Sequence, residues 1–245
     1  MDQAIYSNGV TKKVFHDSLV DENRREGAEG KCFPPYFLGW RGDEHLARGL
    51  TMWRMLLGLL LLLGIQTMRI MGLISASRWQ STGGRLLWHV LIAVLTAVGL
   101  FLVVWGFALA REQPMPLWQP VGALKHLAFA LTAFSFVLLA AAVVPANHLK
   151  AKLKFPFVLA VKSWALGHLL LNGMLAHVLL FGTVLAWSVW AFRYLRRREM
   201  KEHAPTAPAA TGLTLLALAL GLLAWWGFAA VLHGWLIGIK PIAWF

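Results

Sequence analysis

The sequence predicts an all-α protein, a polytopic membrane helical bundle of about six transmembrane helices. Of its 245 residues, 58% are hydrophobic and only 14% are charged, whereas roughly a quarter of the residues in a soluble domain are charged. Apolar stretches of about twenty residues recur along the chain, which is the length that a helix needs to cross the hydrocarbon core of a bilayer. We therefore expect a lipid bilayer to surround most of the chain.

Six apolar segments are predicted to span the membrane, with boundaries near residues 52–72, 87–109, 121–144, 156–171, 174–192 and 213–239. The fourth is the shortest, about 24 Å of helix, so either a thin span or a re-entrant segment fits its length. Pro156 suits the first turn of that helix, where a missing N–H is tolerated. Asn172 and Gly173 form a turn sequence, which predicts a tight hairpin between the fourth and fifth spans.

The net charge of +12 follows from topology rather than from a nucleic-acid surface. Residues 52–245 contain only three acids, and their basic residues concentrate after spans one, three and five. In a six-span protein these three loops lie on the same side, and the positive-inside rule makes that side cytoplasmic. This predicts a multi-pass protein of the bacterial inner membrane, with both termini outside and no nucleic-acid partner.

Residues 1–51 differ in composition from the rest of the chain. They hold eight acids and seven Lys or Arg residues but no apolar span. Two interpretations remain open: a polar, disordered extension, or an upstream start codon with the working chain beginning at Met52 or Met55. A third is that the first apolar segment is a signal peptide, although it is longer than the usual apolar region of one. The domain boundary is predicted between residues 51 and 52, with residues 52–245 as the transmembrane domain.

Four histidines are expected at one level of the membrane. His126 lies near the start of the third span, His168 near the end of the fourth, His177 at the start of the fifth and His233 near the end of the sixth. Ionisable residues inside a bilayer are costly and normally face the bundle interior or a cavity. Each histidine could instead serve only as a hydrogen-bonding partner between helices.

The absence of Asp and Glu from the predicted spans limits the chemistry of this histidine level. It excludes a carboxylate proton relay, a di-iron carboxylate cluster and the glutamate base of a zinc protease. Two neutral imidazoles from facing helices suit the axial ligation of b-type haem. Trp164, His168 and Asn172 are four residues apart in turn and share one helix face, so we expect Asn172 to hold the His168 ring by a hydrogen bond.

Several stretches resemble the NnrU family of membrane proteins. They include LWQPVGALKH, AVKSWALGHLLLNG and LLFGTVLAW within residues 117–187, the first span LLGLLLLLGIQTMRI, and VLHGWLIGIKP at residues 231–241. The family is named from an association with nitrite and nitric oxide reductase expression in denitrifying bacteria. It also includes the plant 15-cis-zeta-carotene isomerase, an integral membrane enzyme that contains haem b.

The resemblance implies a set of candidate site residues. Matching motif positions mark His126, His168 and His233 as candidate ligands of a haem b iron, with Asn172 beside them, whereas His177 has no counterpart. The implied function is an accessory factor for nitrite and nitric oxide reduction, with a respiratory reductase as partner. The alternative is a haem-dependent carotenoid isomerase acting on a hydrophobic polyene.

Three positions depart from the family motifs. Gln66, Phe155 and Met174 stand where the family usually carries His, His and Asp. Because an amide is a poor haem ligand, a function that required the first of these histidines would be lost here, and the departures favour the accessory role over the isomerase.

Overall fold

The computed structural model describes residues 42–74, 82–112, 114–202 and 208–241. All contacts discussed below lie within one compact unit, Ala47–Phe245. The described residues form eight α-helices and one π-helical segment: α1 (Gly42–Ile70), α2 (Thr82–Ala110), α3 (Leu124–Val143), α4 (His148–Leu153), α5 (Pro156–Leu171), α6 (Leu175–Glu202), α7 (Thr211–Gly227), the π segment (Phe228–Leu232) and α8 (His233–Ile237).

The helices confirm the predicted all-α membrane bundle. Five apolar helical stretches in the described part of the chain are long enough to cross a membrane, and α5 is a shorter apolar helix. Its bounds, Pro156–Leu171, coincide with the fourth predicted span, and Pro156 occupies its first turn as expected. The protein is therefore a multi-pass membrane protein.

Two helices extend well beyond the predicted spans. α1 begins at Gly42, so residues 42–51, predicted from composition to belong to the polar extension, are helical, while residues 1–41 lie outside the described residues. α6 runs on to Glu202, past the predicted end near residue 192. Hydropathy marks the part of a helix that lies in lipid, whereas the backbone hydrogen bonds of a helix continue into the polar region.

A short helix in the basic loop after α3 was not predicted. Asn147 begins α4: its side-chain oxygen accepts a hydrogen bond from the backbone N–H of Lys150, at 2.8 Å. Its amide nitrogen donates to the carbonyl oxygens of Ala141 and Val144, at 2.9 and 2.7 Å. Asn147 is fully buried, so one side chain ends α3, begins α4 and satisfies three backbone polar groups at the turn.

Apolar packing and cross-helix hydrogen bonds hold the helices together. One buried cluster joins α1, α2, α5 and α6 and contains Met55, Leu59, Val103, Ala165, Leu180, Phe181 and Val184. The Ser135 hydroxyl donates to the carbonyl of Ala160 at 2.7 Å, which ties α3 to α5. The indole N–H of Trp225 donates to Thr132 at 3.1 Å, which ties α7 to α3. Small hydroxyl side chains are common partners between helices in membranes because they allow close approach.

The loops meet in pairs and define two ends of the bundle. We call one end the histidine end, because His168 and His177 lie beside its α5–α6 turn. There the backbone N–H of Leu117 donates to the carbonyl oxygen of Gly173 at 2.8 Å, and the backbone N–H of Leu175 donates to the carbonyl oxygen of Met115 at 2.8 Å. The opposite end carries the basic loops, and we call it the basic end. There the backbone N–H of Ala210 donates to the carbonyl oxygen of Ala146 at 2.8 Å, and the Lys154 ammonium lies 3.4 Å from the Glu199 carboxylate. Successive apolar helices from α2 to α7, with the shorter α5 among them and the short α4 left aside, therefore run in opposite directions, as the six-span prediction requires.

Candidate functional site

The turn between α5 and α6 anchors the histidine end. The Gly173 carbonyl accepts hydrogen bonds from the backbone N–H groups of Leu117 and Trp118, at 2.8 and 3.3 Å. Gly173 is buried, and a Cβ atom there would overlap the carbonyl oxygen of Trp118. Only glycine fits this close approach of two backbones. The turn places His168 just before it on α5 and His177 just after it on α6.

The His168 ring is fixed by its own helix and by α6. Its Nδ1 lies 2.9 Å from the carbonyl oxygen of Trp164. Because a carbonyl oxygen only accepts hydrogen bonds, Nδ1 carries the proton and Nε2 keeps its lone pair. The ring stacks on Phe181 with centroids 4.8 Å apart and lies at the same distance from the Trp164 ring. The imidazole is thus held with a metal-binding nitrogen available, and Trp164 and His168 both face the bundle as expected.

Asn172 does not orient this ring in the way the sequence suggested. Its side-chain amide donates instead to the main-chain carbonyl of His168, at 2.7 Å. That carbonyl is in the last turn of α5, where backbone oxygens lack helical N–H partners. Asn172 therefore ends the helix, and the Trp164 carbonyl holds the ring. The reason is geometric. The Asn172 side chain is short, so from its position four residues after His168 it reaches the main-chain carbonyl of His168 more readily than the ring.

His233 follows the π segment at the end of α7. A π turn accommodates one additional residue, so each side chain after it is rotated by about 100° relative to a continuous α-helix. Phe228, the first residue of the segment, packs edge-on to the His233 ring at 5.9 Å and contacts Phe136 of α3 at 5.6 Å. The π segment thus sets the direction in which His233 leaves the helix.

The chain then folds back over His233. Gly238 ends α8 with φ +81°, a left-handed conformation that favours glycine. The reversal brings the carbonyl oxygen of Ile239 to 2.8 Å from Nδ1 of His233. As in His168, a carbonyl partner fixes the proton on Nδ1 and leaves Nε2 with its lone pair. The motif HGWLIGI therefore prepares a second imidazole of the same tautomer.

His177 differs from these two histidines. Its Nδ1 is buried, and no described group forms a hydrogen bond with it. Its ring packs edge-on to Phe107 of α2 at 5.0 Å and lies tilted to Phe181 at 6.2 Å. A buried polar atom without a partner is costly, so it marks a place where an additional group is expected.

The predicted convergence of four histidines holds best for three of them. His177 and His233 both lie close enough to the His168 ring for the charges of the three imidazoles to affect one another. His126 is in the first turn of α3 and is exposed. It lies at the same end of the bundle, because α3 begins shortly after the loop that bonds the Gly173 carbonyl.

Gln66, which stands where the family usually carries His, lies far from this cluster. The neighbouring Thr67 accepts a hydrogen bond from Trp187 of α6 at 2.9 Å. Trp187 follows His177 by ten residues of the same helix, which corresponds to about 15 Å. The substitution in α1 therefore leaves the histidine end intact.

The aromatic residues around the histidines were not predicted from the sequence. Phe181 contacts both His168 and His177, and Phe107 contacts His177 from α2. Phe181 is one helical turn after His177 in the sequence, and that spacing was a usable signal. The contact from Phe107 depends on how α2 packs against α6, which no local pattern indicates.

The donor set fits haem better than a metal held by protein alone. In the described part of the chain, no group of three or more His, Cys, Asp or Glu side chains is arranged to hold a metal ion, and structural zinc sites use four such ligands. Haem requires only one or two axial ligands. Neutral imidazoles whose Nδ1 bonds a carbonyl are the form in which histidine ligates a metal, and His168 and His233 both have it.

A search of the curated proteins and a search of the solved structures found no match. The family model described as NnrU protein matches residues 54–241, which include α2 to α8 and nearly all of the apolar part of α1. By sequence match, and with the motif histidines His126, His168 and His233 inside the matched region, the chain belongs to the NnrU family.

Proposed function

We propose that this protein binds haem b at the histidine end of its bundle, as an accessory factor for nitrite and nitric oxide reduction in the bacterial inner membrane. The observation that carries the proposal is that His168 and His233 adopt the same tautomer, because the Nδ1 atom of each donates to a backbone carbonyl. Both rings therefore keep a lone pair on Nε2. The two imidazoles also lie close enough for their charges to affect each other.

The residues around the two histidines would orient the cofactor and exclude water. The Trp164 carbonyl and the stacked ring of Phe181 hold His168, while the Ile239 carbonyl and Phe228 hold His233. When bound, a haem supplies one-electron chemistry at its iron. His126, exposed in the first turn of α3, is the third candidate ligand.

The accessory role rests on family membership and on the departures at Gln66, Phe155 and Met174. A respiratory reductase is the partner that this role implies. Deletion of the gene in its native host should lower nitrite and nitric oxide reductase activity, with restoration by the wild-type gene. Unchanged activity of both reductases after deletion would contradict the accessory role.

One observation favours the alternative, a haem-dependent isomerase of carotenoids. Exposed apolar side chains flank His233, among them Val231 at 63% and Trp235 at 79% exposure. An apolar polyene dissolved in the bilayer would reach this surface without crossing water. Conversion of 15-cis-zeta-carotene by the reduced, haem-loaded protein, measured by chromatography, would favour the isomerase, and no conversion would leave the accessory role.

The haem proposal is tested by absorption spectroscopy of detergent-purified protein from haem-supplied cells. We expect a Soret band, a pyridine haemochrome of b type and stoichiometric haem. His168→Ala and His233→Ala should each remove or shift the Soret band while the protein still inserts. His89→Ala is the matched control: its Nδ1 also lies near a carbonyl, that of Arg85 at 2.7 Å, but the side chain is exposed near the start of α2. Wild-type protein without Soret absorption would overturn the proposal.

A further inference from the structure

His177 and Arg111 together form a feature that axial ligation does not explain. His177 has a buried Nδ1 that bonds no described group. The Arg111 guanidinium lies 5.7 Å from the centre of the Phe107 ring, against which His177 packs edge-on at 5.0 Å. Arg111 also acts electrostatically on His177. The Phe107 ring therefore has the charged Arg111 guanidinium near it and the His177 ring, with its unsatisfied nitrogen, packed against its edge.

This pair is suited to a carboxylate. No carbonyl of the described residues constrains the tautomer of His177 in the way that one constrains His168, so Nδ1 is able to carry a proton and donate it in a hydrogen bond. Arg111 is always charged and presents several donors that match carboxylate geometry. A carboxylate oxygen at Nδ1 would satisfy the buried nitrogen and bring the negative charge near the guanidinium.

The position of the pair relative to the other histidines suggests whose carboxylate it is. His177 is within electrostatic range of His168, and both rings contact Phe181. Arg111 is exposed directly after the end of α2, at the histidine end of the bundle. Haem b carries two propionate carboxylates on one edge, and that edge prefers the aqueous boundary over lipid because the carboxylates are charged.

We propose that His177 and Arg111 bind a propionate carboxylate of the haem, with His177 as a positioning residue rather than a ligand of the iron. The inference rests on the proposed haem function and assigns a role to His177, which the family motifs leave without one. It places the iron toward His168 and His233 and the carboxylate edge toward the end of α2.

The test compares two porphyrins that differ only in the carboxylates. Detergent-purified apoprotein is titrated with protohaem and with its dimethyl ester, and each Kd is measured from the Soret band. Wild-type protein should prefer protohaem by roughly tenfold or more, the size expected of charge-assisted hydrogen bonds. His177→Leu and Arg111→Gln should each lose most of this preference through weaker protohaem binding, with ester binding unchanged. His89→Leu should keep the wild-type ratio.

The outcomes separate this inference from the proposed function. If His177→Leu keeps the wild-type ratio while both porphyrins still bind, the carboxylate assignment is overturned and haem binding stands. If His177→Leu abolishes the Soret band for both porphyrins while helix content is retained, His177 acts on the iron and the assignment is again overturned. If wild-type protein binds neither porphyrin, the proposed function falls and this inference falls with it.

Discussion

At the scale of single residues, backbone carbonyls fix the tautomers of two of the candidate histidines. His168 and His233 each direct Nδ1 at a carbonyl oxygen, that of Trp164 or Ile239, and so keep Nε2 as the nitrogen with a lone pair. His177 has no such partner among the described groups. Three imidazoles of one cluster thus divide into two with a fixed tautomer and one with a buried nitrogen that no described group satisfies. Residue type alone does not distinguish them.

Asn172 shows the same principle and gives a prediction. Because its amide bonds the His168 carbonyl and not the ring, Asn172→Ala should act on stability rather than on the cofactor. We expect a loss of about 1 kcal/mol, the usual range for polar contacts in membrane bundles, measured by thermal unfolding in detergent. The Soret maximum should stay at its wild-type position. A Soret shift comparable to that of His168→Ala would show that Asn172 orients the ring after all.

At the scale of elements, two irregular segments position the site. The π segment at Phe228–Leu232 sets the direction of His233, and the turn at Gly173 joins the end of α5 to the loop before α3. π segments inside helices are frequently found at functional sites. The π segment and the turn each place a histidine, so the regular helices provide the frame and these irregular segments set the positions of the histidines.

The turn at Gly173 gives a sharp comparison between two glycines. Gly173→Ala should lower the free energy of unfolding by roughly 2 kcal/mol or more, because the new Cβ overlaps the Trp118 carbonyl and the turn must give up its two hydrogen bonds. Gly182→Ala in α6 is the control: a Cβ there meets nothing within 4 Å. Alanine in a helix interior is favoured over glycine by up to about 1 kcal/mol, so this variant should be neutral or stabilised. Equal losses in thermal unfolding would show that the Gly173 turn is not tightly packed.

At the scale of the whole molecule, the sequence predicted the helical bundle better than the site. The lengths of the apolar segments predicted the spans, because a bilayer requires helices of that length. The turn residues Asn172 and Gly173 predicted the hairpin. The level of His168, His177 and His233 followed from alternating helix direction. The orientation of each ring did not, because it depends on carbonyls supplied by the local backbone and on aromatic rings from other helices, such as Phe107. The exposure of His126 likewise depends on how α3 packs.

The orientation of the molecule in the membrane gives the last prediction. The bonds at the two ends place Glu112 near the histidine end and Lys152 at the basic end, and both side chains are exposed. The basic end carries most of the Lys and Arg residues of the loops, so it should face the cytoplasm. In a Cys32→Ser background, which removes the only cysteine of the chain, Glu112→Cys should react with a membrane-impermeant maleimide in cells whose outer membrane is permeabilised. Lys152→Cys should react only after the inner membrane is also opened. The reverse pattern would turn the histidine end, and with it the proposed haem site, toward the cytoplasm, whereas the expected pattern places the proposed site on the opposite side of the membrane.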